Sequence, residues 1–251
     1  MRSASLFLLL AGVAGAASAA GAPAADDRLE MHVTHEVTTG GMDEPSGVPV
    51  RQSTLGVRYR AENWTLQADV PWRRVAGLGE AGTPRLPGTH DTEQGLAEAR
   101  VKVVVPLRQA APDDTRLDLV LRMQTASSAA VGGVSPGNAG QSLRLAMQRA
   151  LGDWNVFGHL GWRRAGTLPG TDPGRNAWHG EVGVSHPLAS RIEAGVYADL
   201  RQRVGTEGAL PEATLYTALN DGDRTWQAFV RRAFASSAPD VAIGLSYRTG
   251  F

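Results

Sequence analysis

Residues 64–72 read WTLQADVPW, and this stretch decides the fold. Tryptophan, leucine, alanine, valine and tryptophan occupy every second position, and Thr65, Gln67 and Asp69 lie between them. Because successive side chains of a strand point to opposite faces, this period of two predicts a β-strand with one apolar and one polar face. No long segment of the chain shows the apolar spacing of a helix.

The same alternation recurs along the chain. It is plain in residues 117–123, 143–147, 154–162, 178–184, 192–200 and 241–251, and weaker in 28–38, 52–60, 95–105, 212–219 and 225–234. Together these runs predict about twelve strands.

The connections between the runs alternate in length. Short turns fall at 60–63, 151–153, 187–190 and 220–224, whereas longer Gly-, Pro- and Ser-rich segments fall at 38–50, 73–92, 124–140, 165–176 and 202–211. Short turns at one end and long loops at the other are typical of outer-membrane barrels. An open sheet cannot cross a bilayer with unpaired edges. The sequence therefore predicts an all-β protein: a closed up-and-down antiparallel transmembrane β-barrel of about 12 strands, with both termini on the periplasmic side.

Aromatic residues on the apolar faces favour the membrane interpretation. Trp64 and Trp72 are eight residues apart on one face, as are Trp154 and Trp162. Eight tilted strand residues rise about 20 Å, close to the barrel's apolar band of about 25 Å. Such pairs would place one tryptophan at each interface. We expect a membrane girdle formed by Trp64, Trp72, Trp154, Trp162, Trp178, Tyr247 and the terminal Phe251.

Composition sets the outer limits on function. The formal net charge is zero, which argues against a nucleic-acid partner, and the absence of cysteine excludes disulfide and thiolate chemistry. At the N-terminus, Arg2, the apolar run LFLLLAGV (6–13) and Ala17-Ser18-Ala19 have the form of a cleavable export signal. We expect residues 1–19 to be a signal peptide and 20–251 to be the barrel.

Three segments carry a resemblance to a known family. SLRLAMQRALGDWNVFGHLGWRRAG (142–166), IEAGVYADLRQ (192–202) and DVAIGLSYRTGF (240–251) resemble small Gram-negative outer-membrane barrels regarded as transporters. They are similar to the outer-membrane family associated with the meta-cleavage pathway of phenol degradation. The resemblance implies a barrel for small, aromatic or hydrophobic molecules, and it carries no functional residues over to this chain.

Charged side chains occupy the faces opposite the apolar ones, so we expect them to line the lumen. The candidate lumen and selectivity residues are Glu98, Arg100, Lys102, Asp118, Arg122, Arg144, His159, Arg163, His179, Glu181, Glu193, Asp199, Arg201, Arg231 and Arg248. Two interpretations remain open for them. They form salt bridges that stiffen a narrow barrel, or they form a mixed-charge constriction that selects solutes.

No catalytic or metal-binding motif is convincing. Residues 77–82 spell G-x-G-x-x-G, but a proline-rich segment follows where a dinucleotide site needs a helix. Residues 133–137 spell G-x-S-x-G, but Pro136 cannot supply the required N–H. His32 and His35 would face opposite sides of one strand, whereas His159 and His179 would meet in the lumen beside Glu181. The sequence predicts no catalytic residues, no metal and no cofactor.

The predicted function is passive, selective passage of small molecules through a charge-lined lumen, without enzyme activity. The expected partners are outer-membrane lipid, the barrel-assembly machinery acting through the strand that ends in Phe251, and a small solute. Three alternatives stay open: a soluble periplasmic sandwich or barrel, a lipid-modifying enzyme, and a closed structural or adhesive barrel. The enzyme would need lipid-facing His and Ser side chains with a polar group that orients them.

Overall fold

The computed structural model describes residues 28–39, 49–76, 92–108, 115–125, 139–165, 176–202, 209–234 and 241–251. The expected signal peptide, most of each long loop and the two glycine motifs at 77–82 and 133–137 lie outside the described residues. Within the described residues, no helix is long and apolar enough to cross a membrane.

Strands make up almost all of the described chain. They are β1 (Arg28–Thr39), β2 (Pro49–Arg60), β3 (Thr65–Ala76), β4 (Thr92–Leu96), β5 (Arg100–Arg108), β6 (Thr115–Gln124), β7 (Gly140–Leu151), β8 (Trp154–Ala165), β9 (Asn176–Ala189), β10 (Ile192–Gln202), β11 (Ala209–Asp221), β12 (Arg224–Ala233) and β13 (Val241–Gly250).

Each strand pairs antiparallel with its neighbours in chain order, and β1 pairs with both β2 and β13, so the sheet closes on itself. The segments β4 and β5 both pair with β3 and are separated only by residues 97–99, so together they form one strand of the wall. The described residues therefore build a closed antiparallel barrel of twelve strands, as the alternation predicted. The weaker runs at 212–219 and 225–234 form regular strands.

The two ends of the barrel differ. The short connections, with Arg28 and Phe251, lie at one end, which we call the turn end, and the segments 40–48, 77–91 and 126–138 connect strands at the other, the loop end. Gly152 and Gly222 occupy two of the tight turns with φ of 61° and 60°, a left-handed conformation that favours glycine. Both turns fall within predicted short connections.

Large apolar side chains cover the outside of the barrel. Leu160, Val182 and Leu215 are each 62% exposed in the isolated protein, and apolar residues at alternate positions of the neighbouring strands are exposed in the same way. A continuous apolar outer face is costly in water and stable in lipid.

All seven expected girdle residues lie on this outer face. Trp72, Trp162 and Trp178 are towards the loop end, and Trp162 is directly opposite Trp178 in the strand register. The others, Trp64, Trp154, Tyr247 and Phe251, are towards the turn end. Two further aromatic residues join them there: Tyr59 packs against Trp64, with ring centroids 5.4 Å apart, and Trp226 packs against Tyr247 at 4.4 Å.

Inside the barrel, aromatic rings lie flat over glycines of the adjacent strand. Phe157 lies over Gly183, Tyr216 over Gly195 and Phe229 over Gly244, and each ring is directly opposite its glycine in the strand register. A Cβ atom at Gly183 would lie 2.5 Å from the Phe157 ring. The glycines therefore let large rings lie against the wall rather than across the lumen.

Candidate functional site: the charged lumen

The half of the lumen towards the loop end contains a cavity of about 650 Å³, which we call the upper cavity. Its lining comes from strands all around the barrel and is dominated by polar and charged side chains. Of the expected lumen residues, the lining includes Glu98, Arg100, Arg122, Arg144, His159, Arg163, His179, Glu181, Asp199, Arg201 and Arg231. These residues, which the sequence spreads over 134 positions, thus line a single cavity.

A second cavity of about 600 Å³ lies towards the turn end. Lys102, Asp118 and Arg58 contribute to its lining. Inward side chains that line neither cavity, including Gln67 and Asp69 on β3 and Val120 on β6, lie between the two along their strands. Gln67 is only 7% exposed and Val120 only 6%. The lumen is therefore divided into two wider parts by a tighter belt.

One side of the upper cavity carries alternating charges that pair with one another. On β10, Arg201 Nε lies 2.7 Å from Asp199 Oδ1, and Arg201 Nη2 lies 3.4 Å from Glu212 Oε2 on β11. Arg231 on β12 then bridges Glu212 and Glu36, and Glu36 belongs to β1. We call Asp199, Arg201, Glu212, Arg231 and Glu36 the paired wall. It links four strands across the seam where the barrel closes.

The opposite side carries a row of five cations. Arg100 and Lys102 on β5, Arg122 on β6, Arg144 on β7 and Arg163 on β8 face the lumen, and we call them the cationic wall. None of the five forms an ion pair with a carboxylate among the described residues, and the Nε atoms of Arg100 and Arg144 are buried without a described hydrogen-bond partner.

Like charges even stand directly opposite one another on this wall. Lys102 on β5 and Arg122 on β6 are register partners. Such pairs destabilise a sheet unless an anion offsets their repulsion. Their side chains therefore concentrate positive charge on this side of the lumen.

His159 and His179 meet in the lumen, as the strand pattern predicts. Their ring centroids are 5.2 Å apart, and His159 Nδ1 lies 3.6 Å from Glu181 Oε1. His159 Nε2 and His179 Nδ1 are buried without a hydrogen-bond partner in the described part of the chain. Across the described residues, no group of three or more His, Asp or Glu side chains is arranged to hold a metal ion.

A hydrogen-bonded network on β1–β3 escaped the sequence interpretation. Arg58 donates to Glu30 Oε2 at 3.1 Å and to Gln67 Oε1 at 3.0 Å. Gln67 Nε2 donates to Asp69 Oδ1 at 2.9 Å, and His32 Nε2 lies 2.9 Å from the same oxygen. Gly56 provides the space, because a Cβ there would collide with both His32 and Asp69. Asp69 lay on the polar face of the plainest strand, so the alternation alone could have selected it.

Three more of the expected lumen residues lie apart from the upper cavity. Asp118 accepts a hydrogen bond from Arg116 at 3.0 Å, Glu193 accepts one from Tyr216 at 3.0 Å, and Arg248 donates to Thr225 at 3.2 Å. Glu98 lines the upper cavity from residues 97–99, which interrupt the strand instead of continuing it. The structure thus distributes the fifteen residues over both halves of the lumen and does not gather them into one ring.

A hydrogen-bonded polar pair lies among the apolar residues of the outer face. His35 Nδ1 lies 3.0 Å from Ser53 Oγ, and both side chains are exposed on the lipid-facing side of β1 and β2. His32, three residues earlier, faces the lumen, so the prediction that His32 and His35 point to opposite sides agrees with this geometry. Among the described residues, no further polar side chain hydrogen-bonds to His35.

Comparisons of the three-dimensional fold find outer-membrane channels. The chain is similar to the COG4313 outer membrane channel from Pseudomonas putida F1, with a TM-score of 0.62, 13% identity, and coverage of 92% of this chain and 100% of that one. It is similar to the KdgM porin solved in complex with disordered oligogalacturonate, with a TM-score of 0.56, 10% identity, and coverage of 88% and 99%. The chain is also similar to the NanC porin, with a TM-score of 0.53, 11% identity, and coverage of 88% of this chain and 97% of that one.

No family model and no curated sequence matches the chain. At these identities the likeness is one of fold: the protein is a closed antiparallel barrel of twelve strands, the fold that these structures share. Since each of the three structures is matched over 97% or more of its own length, the likeness extends over their whole barrels.

Proposed function

We propose that the protein is an outer-membrane channel that lets small molecules pass by diffusion through its charged lumen. The observation that carries the proposal is the upper cavity of about 650 Å³, lined on one side by cations that form no ion pair with a described carboxylate and on the other by ion pairs. Rings of charge of this kind select solutes in pores. A barrel that served only as a scaffold would gain stability from replacing those cations with neutral side chains.

Twelve strands suit this role. Barrels of about eight strands are filled by their own side chains, and those of about 16–18 hold open aqueous channels. The glycines beneath Phe157, Tyr216 and Phe229 support a passage, because they keep the three rings against the wall. The tighter belt around Gln67 and Asp69 would then be the step that sorts solutes by size.

Export and insertion complete the proposal. Residues 1–19 would direct the chain out of the cytoplasm and be removed, and residues 20–251 would form the barrel domain. The C-terminal strand, β13, would be the segment that the barrel-assembly machinery recognises, since its outward side chains end in the exposed Phe251. Lipid would contact the apolar outer face.

The test is reconstitution of the purified full chain. In planar bilayers it should give discrete conductance steps, and liposomes that contain it should take up small solutes. The barrel should also migrate differently in detergent gels before and after boiling. A protein that migrates as a folded barrel yet gives no conductance at any voltage and no uptake would overturn the proposal.

A lipid-modifying enzyme is the competing hypothesis, and His35 with Ser53 is the observation that favours it. A nucleophile–base pair of this type also needs a third group that orients the histidine. The described residues supply none at His35. We expect vesicles that contain the protein to release no fatty acid, and a measured release abolished by Ser53→Ala would establish the enzyme instead.

A further inference from the structure

The outer face of β2 and β3 presents two arginines side by side. Arg51 and Arg74 are register partners, and both side chains are exposed on the lipid-facing side. Their inward neighbours establish the orientation, because Gln52 and Arg73 line the upper cavity and hydrogen-bond to each other at 3.2 Å. Within the described chain neither Arg51 nor Arg74 has an ion-pair partner.

Two cations in direct cross-strand contact destabilise a sheet, and a cation that faces hydrocarbon costs still more. No acidic side chain among the described residues offsets this repulsion, so the pair is open to a counter-anion from outside the protein. One anion can reach both guanidinium groups, since cross-strand neighbours have Cβ atoms only about 5 Å apart.

The position along the barrel axis identifies where that anion resides. Trp72 is the register partner of Ser53, and Arg51 and Arg74 lie two residues beyond that pair towards the loop end. Two tilted strand residues rise about 5 Å. Because tryptophan marks the membrane interface, the arginines lie at the level of the lipid headgroups. Leu55 and Trp72, 49% and 44% exposed, continue the same face towards the hydrocarbon.

The described outward charges differ between the two ends of the barrel, and this difference also favours an anionic lipid at the loop end. At the loop end the described outward charges are Arg51, Arg74, Arg164 and Arg232, without an acidic side chain among them. At the turn end bases and acids are mixed, and Arg191 pairs with Asp221 at 2.8 Å. An arginine-only rim suits an anionic leaflet at the loop end.

We propose that Arg51 and Arg74 bind the phosphate of a phosphorylated lipid in the leaflet at the loop end, with its acyl chains against Leu55 and Trp72. Guanidinium groups form two parallel hydrogen bonds with phosphate oxygens, a geometry that lysine does not provide. This site needs the barrel to lie in a bilayer but does not depend on conductance.

The test uses the full chain in a non-ionic detergent, with bound lipid counted by native mass spectrometry. The probes are diphosphoryl lipid A, the same lipid without its two phosphates, and inorganic phosphate. We expect the wild type to retain the phosphorylated lipid one to one and to prefer it over the dephosphorylated form. The double variant Arg51→Gln/Arg74→Gln should bind it at least about tenfold more weakly, since charge-assisted hydrogen bonds are lost.

The matched control is Arg164→Gln/Arg232→Gln, which removes two outward arginines from strands that are not neighbours. It should retain the lipid with unchanged affinity. Equal weakening by both double variants, equal binding of the dephosphorylated lipid, or displacement by inorganic phosphate at equal concentration would each overturn the proposal. Should the double variant fail to fold, Arg74→Gln alone and the wild-type preference between the two lipids decide the question. Conductance is recorded in parallel, so a silent but lipid-binding barrel would count against the channel and not against this site.

Discussion

The paired wall and the cationic wall face each other across the lumen, yet their charges have opposite consequences. On β10–β12 and β1, every arginine of the wall contacts at least one carboxylate, and Arg231 joins strands on both sides of the closure. On β5–β8, five cations stand without a described carboxylate partner. Paired charges cross-link strands, whereas unpaired like charges repel one another and weaken the sheet.

The difference separates stability from function. A side chain that costs stability and remains unpaired around a cavity is expected at functional sites. We therefore propose that the paired wall holds the barrel together and that the cationic wall selects solutes. Three substitution experiments test this division, and they follow in order of expected effect.

The largest effect is expected from neutralising the cationic wall. The variant Arg100→Gln/Arg122→Gln/Arg144→Gln should lower the ratio of chloride to potassium permeability by about tenfold, which corresponds to about 1.4 kcal/mol of electrostatic preference. The measurement is the reversal potential in planar bilayers under a potassium chloride gradient. Low ionic strength is required, since salt screens these charges.

Its matched control removes the same amount of charge from the outer face. Arg149→Gln/Arg164→Gln/Arg232→Gln changes three exposed outward arginines and should leave the permeability ratio unaltered. If the two triple variants shift the ratio equally, selectivity follows from net charge and not from the cationic wall.

A smaller effect, on stability, should distinguish single arginines of the two walls. Arg231→Gln leaves Glu36 and Glu212 without their shared partner and should lower the free energy of unfolding by about 1 kcal/mol, less than for a fully dry ion pair because the lumen admits water. Arg122→Gln relieves its repulsion from Lys102 and should be neutral or slightly stabilising. Urea unfolding followed by tryptophan fluorescence compares them. A loss at Arg122 as large as that at Arg231 would contradict the division between the walls.

The smallest effect concerns the rings beneath the paired wall. In Gly183→Ala the new Cβ would lie 2.5 Å from the Phe157 ring and 2.6 Å from Tyr197 Cβ, so the rings must move towards the lumen. Because the rings can move into the open lumen, we expect a loss of stability below about 1 kcal/mol, together with a reduced single-channel conductance. Gly180→Ala on the same strand is the control, because its Cβ would come no closer than 3.5 Å to any atom. Equal conductance of the two variants would show that the rings do not border the passage.

The strand pattern was readable from the sequence because the two sides of a transmembrane strand lie in different solvents. Trp64 and Trp72 at the ends of one apolar face, and Arg122 opposite Leu121, are local consequences of that rule. The antiparallel order also followed, since short connections join neighbours. The same alternation placed the charges of the candidate site in the lumen.

Pairing between the charges was not readable. Nothing in the sequence shows that Arg231 is paired and Arg122 is not, as each occupies an inward position directly after an outward apolar residue. Glu36 and Arg231 are 195 positions apart and meet because β1 and β13 close the barrel, with β12 beside them. The outward Ser53 and Arg51 were missed because they lie in or beside a weaker run, and Arg74 was missed because it lies in the segment 73–92, which was predicted to be a loop.

The sequence by itself determined the period of two, the apolar belt, the sorted connections and the inward placement of charge, because each depends only on neighbouring residues and on the solvent they face. Only the tertiary structure decided which charges are neutralised, which glycines receive a ring, and where two arginines meet on the outer face. Those outcomes depend on the stagger between strands and on closure of the barrel, which bring together residues that no local pattern connects.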